Sequence, residues 1–433
     1  MTAAAAESTP AYWYLESRRI RPALADFAAR PFPLPLLCGV QDYAWGERGA
    51  ASYIAHLRGV APDAGRAYAE MWIGDHPGLP AFAELVGGDV APLAETTGGR
   101  LPFLMKVLAA AECLSIQVHP DAQQARQGYD DEQRRGIPVS DPARNYKDAS
   151  HKPELIVALT PFWSLDGFRP LGDIAGALEH EAPELLPLMP DIAARAARAG
   201  DDAAARAAVV RELYEGAMRL PQERRNALLA PLVERLARQN AAAPFPEGSR
   251  EHWVLETDRR YARGADKDRG VLSLYLLNFV TLAPGQALYL GAGELHSYLR
   301  GVGVEVMANS DNVIRGGLTP KHVDVEALLS IVTFKDGQAG VIEPGADGVY
   351  ATPADEFEVA RLRLAGGQLA GRPSGRGADI WLATAGRAEV VWSGGVVVPV
   401  AAGVPVLVPA ALGRYDVRAV SDDAELFRAS SRG

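Results

Sequence analysis

Three short segments each present two polar side chains two residues apart: Gln117 and His119 in LSIQVHPD, Lys152 and Glu154 in HKPE, Glu294 and His296 in GELHSYL. On a strand, side chains at that spacing leave the same face. Pro153 favours an extended residue before it, which brings Lys152 and Glu154 to one side. The surrounding β-like text is apolar, so the pairs read as groups delivered into a shared cavity. Two imidazoles, a carboxylate and an amide oxygen from His119, His296, Glu154 and Gln117 make a four-ligand set for zinc, with water or substrate as a further ligand. Two histidines and a carboxylate are also an iron set, as used by oxygenases, so the spacing alone leaves the metal open. None of the eight histidines lies beyond His322, which confines imidazole chemistry to the first three-quarters of the chain.

Lysine usage adds a second line of argument. Only six of the 44 basic residues are lysine (Lys106, Lys147, Lys152, Lys267, Lys321 and Lys335), and the other 38 are arginine. A lysine kept in such a chain marks a place for a compact, titratable amine. Four of the six cluster within 106–152 and 294–322, around the polar pairs. With 54 acidic residues the formal charge is −10, so the overall field opposes an anionic ligand. Lys106, Lys152, Lys321 and Arg315 would supply the local positive charge that an anion needs. No basic stripe suited to nucleic acid is present.

The elements that must position these groups can be read coarsely. At about 150 residues per domain, 433 residues suggest two to three domains. The 48% hydrophobic content allows a large core, yet no apolar run reaches the ~18–20 residues of a membrane span. The opening carries Glu7 and no long apolar stretch, unlike a secretory signal. Cys38 and Cys113 lie in no CxxC pair and read as buried thiols of a reducing cytoplasm. Residues 1–34 form an N-terminal extension with a short amphipathic helix ended by Pro31, Pro33 and Pro35. Strands and short helices are expected from 35 to 169, and a helical insert from 170 to 244, where Ala, Leu, Arg and Glu dominate. Gly200 followed by Asp201 and Asp202 marks a stop and a start within it. Strand texture is expected again from 245 to 336, and 337–433 reads as a Val- and Gly-rich jelly-roll-like sheet domain. The expected class is mainly β with an inserted α-helical domain.

Seven motifs run in order: QDYAWG at 41–46, AEMWIGDHP at 69–77, LPFLMKVL at 101–108, LSIQVHPD at 114–121, NYKDASHKPEL at 145–155, LLNFVTLAPGQALYLGAGELHSYLRG at 276–301 and GVEVMANSDNVIRGGLTPKHVDV at 303–325. In these the chain closely resembles the type I phosphomannose isomerases. The resemblance covers most of the β-rich region from 36 to 335; the helical insert and the C-terminal sheet match in texture more than in motif. It implies a cupin (jelly-roll) catalytic domain with one zinc per chain, interconverting mannose 6-phosphate and fructose 6-phosphate. The family's zinc ligands carry over onto Gln117, His119, Glu154 and His296, and its catalytic arginine onto Arg315. Lys106, Ser115, Lys152, Glu294 and Lys321 match positions tied to substrate handling or proton transfer. Gly291 stands where the general cupin motif has proline, which removes no ligand.

The chemistry then required is ring opening and movement of a proton between C1 and C2 through a cis-enediol whose negative charge must be held. Zinc would polarise the C1/C2 oxygens. Arg315, which keeps its proton, would stabilise or anchor the substrate. The base is either Lys152 or Glu294. Lys321, Lys106 and Ser115 would favour the phosphate. A metal-dependent cupin oxygenase, betrayed by oxygen consumption, and a non-catalytic sugar-phosphate sensor are the competing readings. The expected partner is a phosphosugar, with neither nucleic acid nor membrane. A cytoplasmic monomer is the simplest expectation, serving mannose catabolism or the supply of activated mannose (GDP-mannose biosynthesis).

Overall fold

The computed structural model describes residues 32–85, 88–97, 100–372, 377–392 and 396–432. The helix expected before Pro31 lies outside these residues. The apolar run at Phe103–Ala110 forms a strand buried on both faces. It pairs antiparallel with His296–Ala308, from Gly301 opposite Ala110 to Ala308 opposite Phe103. On its other edge His296–Ala308 pairs with Glu154–Ala158, Glu154 standing opposite Met307. The first residues of the same strand turn to meet Phe162–Phe168 and Ile116–Val118. One 13-residue strand therefore serves both halves of the β core. Gly301, at φ +129, sits where it changes partners, and a Cβ there would lie 2.6 Å from the Phe162 ring.

The C-terminal strands do not stand apart. Val349–Tyr350, Glu358–Leu364, Ala424–Ser430, Asp379–Ala385 and Val406–Val408 continue through Leu34–Leu37 into Phe82–Glu84 and Val90–Pro92 as one eight-stranded sheet. Leu36, Met105, Val304, Phe357 and Phe427 share one buried cluster across this junction. Burial of this apolar surface against the strands of the first β core is the main force holding the two together.

The helical insert begins at Leu171–Gly176. Gly200 ends Ile192–Ala199 at φ +52, and Asp202 caps Ala203–Met218 by accepting the Ala204 and Ala205 N–H groups at 2.9 and 3.1 Å. The stop and start read from the sequence are both present. The helical run does not end at residue 244, however. Arg250–Tyr261 and Gly270–Leu276 extend it, and strand structure resumes only at Leu277. The proline- and glycine-bearing stretch at 243–248 is a connection between two helices. Ser249 caps the second by accepting from His252 N–H at 3.3 Å, and Trp253, Val254 and Thr257 supply the buried stripe of that helix. The architecture is mainly β with an inserted helical region, as expected for a cupin enzyme.

Candidate metal centre and active-site cavity

Strand pairing decides which polar groups meet. Gln117 lies opposite His296 across one edge of its strand and opposite Arg315 across the other. His119 follows two residues later, and Glu154 opens the strand beside Met307. His119, Glu154 and His296 are buried, and each offers a ligand atom within 4.8 Å of the others. His119 Nε2 is 3.5 Å and His296 Nε2 3.6 Å from the two Glu154 oxygens.

The tautomers follow from the outer hydrogen bonds. His119 Nδ1 donates to the Asn312 carbonyl at 2.7 Å and His296 Nδ1 to the Glu294 carbonyl at 2.9 Å. Each Nε2 then carries a lone pair, and both are buried without a hydrogen-bond partner. Burial lowers both imidazole pKa values, that of His296 to about 4, so both rings are neutral near pH 7. Two orphaned lone pairs facing one carboxylate would be costly in a finished core. They fit a tetrahedral cation with ligands at ~2.0–2.2 Å, whose donor atoms stand about 3.3–3.5 Å apart. Lys152 Nζ sits 2.6 Å from Glu154 Oε1. Burial pushes the Glu154 carboxyl up, but the Lys152 ammonium beside it holds it well below the usual carboxylate range.

Beside this centre opens a cavity of about 670 Å³ whose lining includes Trp72, Lys106, Ser115, Gln117, Arg315 and Lys321. Burial lowers the pKa of Arg315, and burial followed by the charges of Arg315 and Lys147 lowers that of Lys321. Among the described residues no carboxylate pairs with either, so both charges are available to an anion. Lys106 differs from expectation. It is not a free cation, because Glu305 at 3.0 Å and Glu70 at 3.7 Å neutralise it. Tyr298 donates to Glu305 at 2.9 Å and Trp72 Nε1 to Glu70 at 2.6 Å, completing a buried network.

Glu294 is also placed differently from its expected neighbours. It lies in a turn before the strand that begins at His296, so strand alternation does not apply to it. Its carboxylate accepts from Gly291 N–H at 3.3 Å and lines a separate, smaller cavity. His151 lies just before the strand that begins at Glu154, and its Nε2 meets Glu356 while Lys152 Nζ meets Glu154.

Three features were not read from the sequence. Arg260 and Arg263, from the end of the last long helix, reach the large cavity. Among so many arginines nothing distinguished them. Asp311 lines the cavity and accepts from His76 Nε2 at 3.3 Å. Asn312 braces the approach to Lys152 and Glu154, since its Oδ1 accepts from Lys147 N–H at 2.7 Å and its Nδ2 donates to the Asp148 and Ser150 carbonyls at 2.8 Å. The SDNVIR motif held the signal for these two.

A family model for the catalytic domain of type I phosphomannose isomerases matches residues 34–171. Mannose-6-phosphate isomerase of Salmonella typhimurium is 35% identical over 350 residues, covering 76% of this chain and 83% of the relative. The chain belongs to the type I phosphomannose isomerase family. The Homo sapiens mannose-6-phosphate isomerase is also 35% identical, over 78% of this chain and 84% of its own length. Among solved structures, a zinc-bound mannose 6-phosphate isomerase covers 93% of this chain at 30% identity with a TM-score of 0.77. A single-residue mutant of the Salmonella typhimurium phosphomannose isomerase covers the same share with a TM-score of 0.78. The likeness to these phosphomannose isomerases spans both the helical insert and the C-terminal strands. Among the described residues no helix is long and apolar enough to cross a membrane.

Proposed function

We propose that this chain is a zinc-dependent aldose–ketose isomerase that interconverts mannose 6-phosphate and fructose 6-phosphate through a cis-enediol, with Gln117, His119, Glu154 and His296 holding one zinc ion. The observation that carries this is the pair of buried imidazoles, each fixed through Nδ1 and presenting an unpartnered Nε2 to Glu154. The relatives' names supply the substrate, and the zinc-bound neighbour supports the metal.

Zinc, when bound, supplies a Lewis acid that polarises the oxygens on C1 and C2. Arg315 stays protonated throughout and meets the negative charge that develops on the enediol oxygens, in register with Gln117. Lys321 and Ser115 bind the phosphate at the other end of the open chain, with Arg263 on the same lining. Lys152 acts as the neutral amine. Its ammonium, 2.6 Å from Glu154 Oε1 here, gives up a proton to solvent as the metal charge takes over its role beside Glu154. The free amine then takes the proton from one of C1 and C2 and returns it to the other. What favours Lys152 over Glu294 is placement: Lys152 Nζ lies 2.6 Å from Glu154 Oε1 at the metal centre, whereas the Glu294 carboxylate lines the smaller cavity. Tyr43, Trp45 and Trp72 shield the enediol from water. Residues 35–169 with 277–336 act as the catalytic unit, the helical region from 170 to 276 as the insert and 337–433 as the second β unit. The enzyme works as a cytoplasmic monomer supplying activated mannose, a setting in keeping with the free thiols Cys38 and Cys113.

The test is a coupled assay on mannose 6-phosphate with metal analysis. Turnover should vanish with a chelator and return on adding zinc. A protein that holds no zinc and isomerises regardless would overturn the reading.

A further inference from the structure

The smaller cavity behind the metal centre, about 170 Å³ in volume, shares no lining residue with the large one. Asp166 and Glu294 both line it. Asp166 is 3% exposed, and its Oδ1 is buried without a hydrogen-bond partner. A β-bulge aims it there: the register between Phe162–Phe168 and Leu277–Leu282 shifts between Asp166 and Phe168, with Gly167 at φ +58 donating to the Leu295 carbonyl at 2.8 Å. The neighbouring amide that could have served Asp166 is otherwise engaged, since Asn278 Nδ2 donates to the Asp166 carbonyl at 3.0 Å and the Gly337 carbonyl at 2.9 Å. Glu294 receives one backbone donor, Gly291 N–H.

The remaining charges on the wall do not cancel this pair. Asp336 is already satisfied by Leu171 N–H at 2.9 Å and Arg206 Nε at 3.0 Å. Lys335 is exposed and makes no ion pair with Asp166 or Glu294. Two carboxylates thus face one cavity with a single hydrogen bond between them, the buried Asp166 Oδ1 receiving none, an arrangement that calls for a cation.

We propose that this cavity is a second cation site, taking one partly hydrated divalent ion of the magnesium class between Asp166 and Glu294. The lining offers oxygen donors and neither imidazole nor thiol, which suits a hard ion over a transition metal. The space is roomy enough for an ion together with several waters. That matches an ion that binds through one or two carboxylates and keeps most of its hydration. The site also touches the zinc-ligand scaffold. The Glu294 carbonyl accepts from His296 Nδ1 at 2.9 Å, and Gly293 N–H donates to the His119 carbonyl at 2.8 Å. An ion held by the Glu294 carboxylate would stiffen the turn that orients both imidazoles.

Manganese is the probe. Zinc-loaded protein, its zinc measured in the same samples, is titrated with Mn²⁺ and followed by electron paramagnetic resonance. One Mn²⁺ per chain should bind without displacing zinc, be competed by Mg²⁺, and be lost in both Asp166→Asn and Glu294→Gln. Absence of saturable binding at millimolar Mn²⁺, displacement of zinc by Mn²⁺, or binding that survives both substitutions would each overturn the site. Should Asp166→Asn fail to fold, Glu294→Gln decides the matter alone. A protein without zinc would count against the zinc reading and leave this titration interpretable.

Discussion

Lys152 Nζ lies 2.6 Å from Glu154 Oε1, with both side chains buried. The same carboxylate faces two neutral imidazoles. In the zinc-free protein the ammonium therefore compensates a charge that zinc would otherwise compensate. Removing it should expose that division of labour. Lys152→Met should destabilise the zinc-free protein by about 3–5 kcal/mol, the usual result of leaving one buried charge unpaired, and the zinc-loaded protein by less. Melting curves with and without chelator measure the difference, and equal losses in the two forms would contradict it. Lys152→Arg keeps the charge while removing the titratable amine, so full turnover in that variant would exclude Lys152 as the proton carrier.

Arg315 stands in register with Gln117 and has no acidic partner among the described residues. Its charge is thus neither spent on the fold nor needed by the metal ligands. Arg315→Ala should retain zinc and melt near the wild-type temperature, while kcat falls about 10²–10³-fold, the scale of losing one preorganised group that stabilises an oxyanion. Zinc content, a melting curve and steady-state kinetics separate these effects. Wild-type turnover would remove Arg315 from the reaction.

Asp166 offers a pH signature in the absence of any bound cation. Burial first, and then the charge of Glu294, pushes its carboxyl up to about 8. An unfolded aspartate titrates near 3.9, so between about pH 4 and pH 8 the folded state holds a proton that the unfolded chain has released. The associated stability is complete below the unfolded value and lost as pH rises through about 8. Asparagine mimics the protonated form at every pH. In buffer free of magnesium, Asp166→Asn should gain stability relative to wild type progressively from about pH 4 to about pH 8, with the difference constant above that. Parallel melting temperatures across that range would show that Asp166 does not titrate there.

Much of the centre was legible because strands translate spacing into direction. Gln117, His119, Lys152 and Glu154 could be grouped by alternation alone, and the structure brings His119 and Glu154 together with His296. Glu294 shows where that rule stops. It lies the same two residues from a histidine, but in a turn, and its carboxylate points to another cavity. Arg260 and Arg263 were hidden by abundance, and the helix carrying Arg260 was masked by the proline and glycine before Ser249. The shared sheet that joins Leu34–Leu37 to Val406–Val408 was beyond reach for a different reason. Pairing between segments so distant in sequence leaves no local pattern in either strand.

Gly293 tests how firmly the turn before His296 holds the centre. Its φ of +77 is one that glycine adopts freely, and a Cβ there would lie 2.3 Å from Thr333 Oγ1 and 2.9 Å from the Ile331 carbonyl. The Thr333 hydroxyl can rotate away, but the carbonyl belongs to the backbone and cannot. Gly293→Ala must therefore shift the turn as well as adopt a disfavoured conformation, at a combined cost of about 2–4 kcal/mol. Because Gly293 N–H donates to the His119 carbonyl and the next residue's carbonyl receives His296 Nδ1, the shift reaches both imidazoles. Zinc affinity, read by competition with a chromophoric chelator, should weaken about 10–100-fold, the usual effect of disturbing the groups that orient metal ligands. A variant that melts lower yet binds zinc as tightly as wild type would show that the turn supports the fold without setting the ligand geometry.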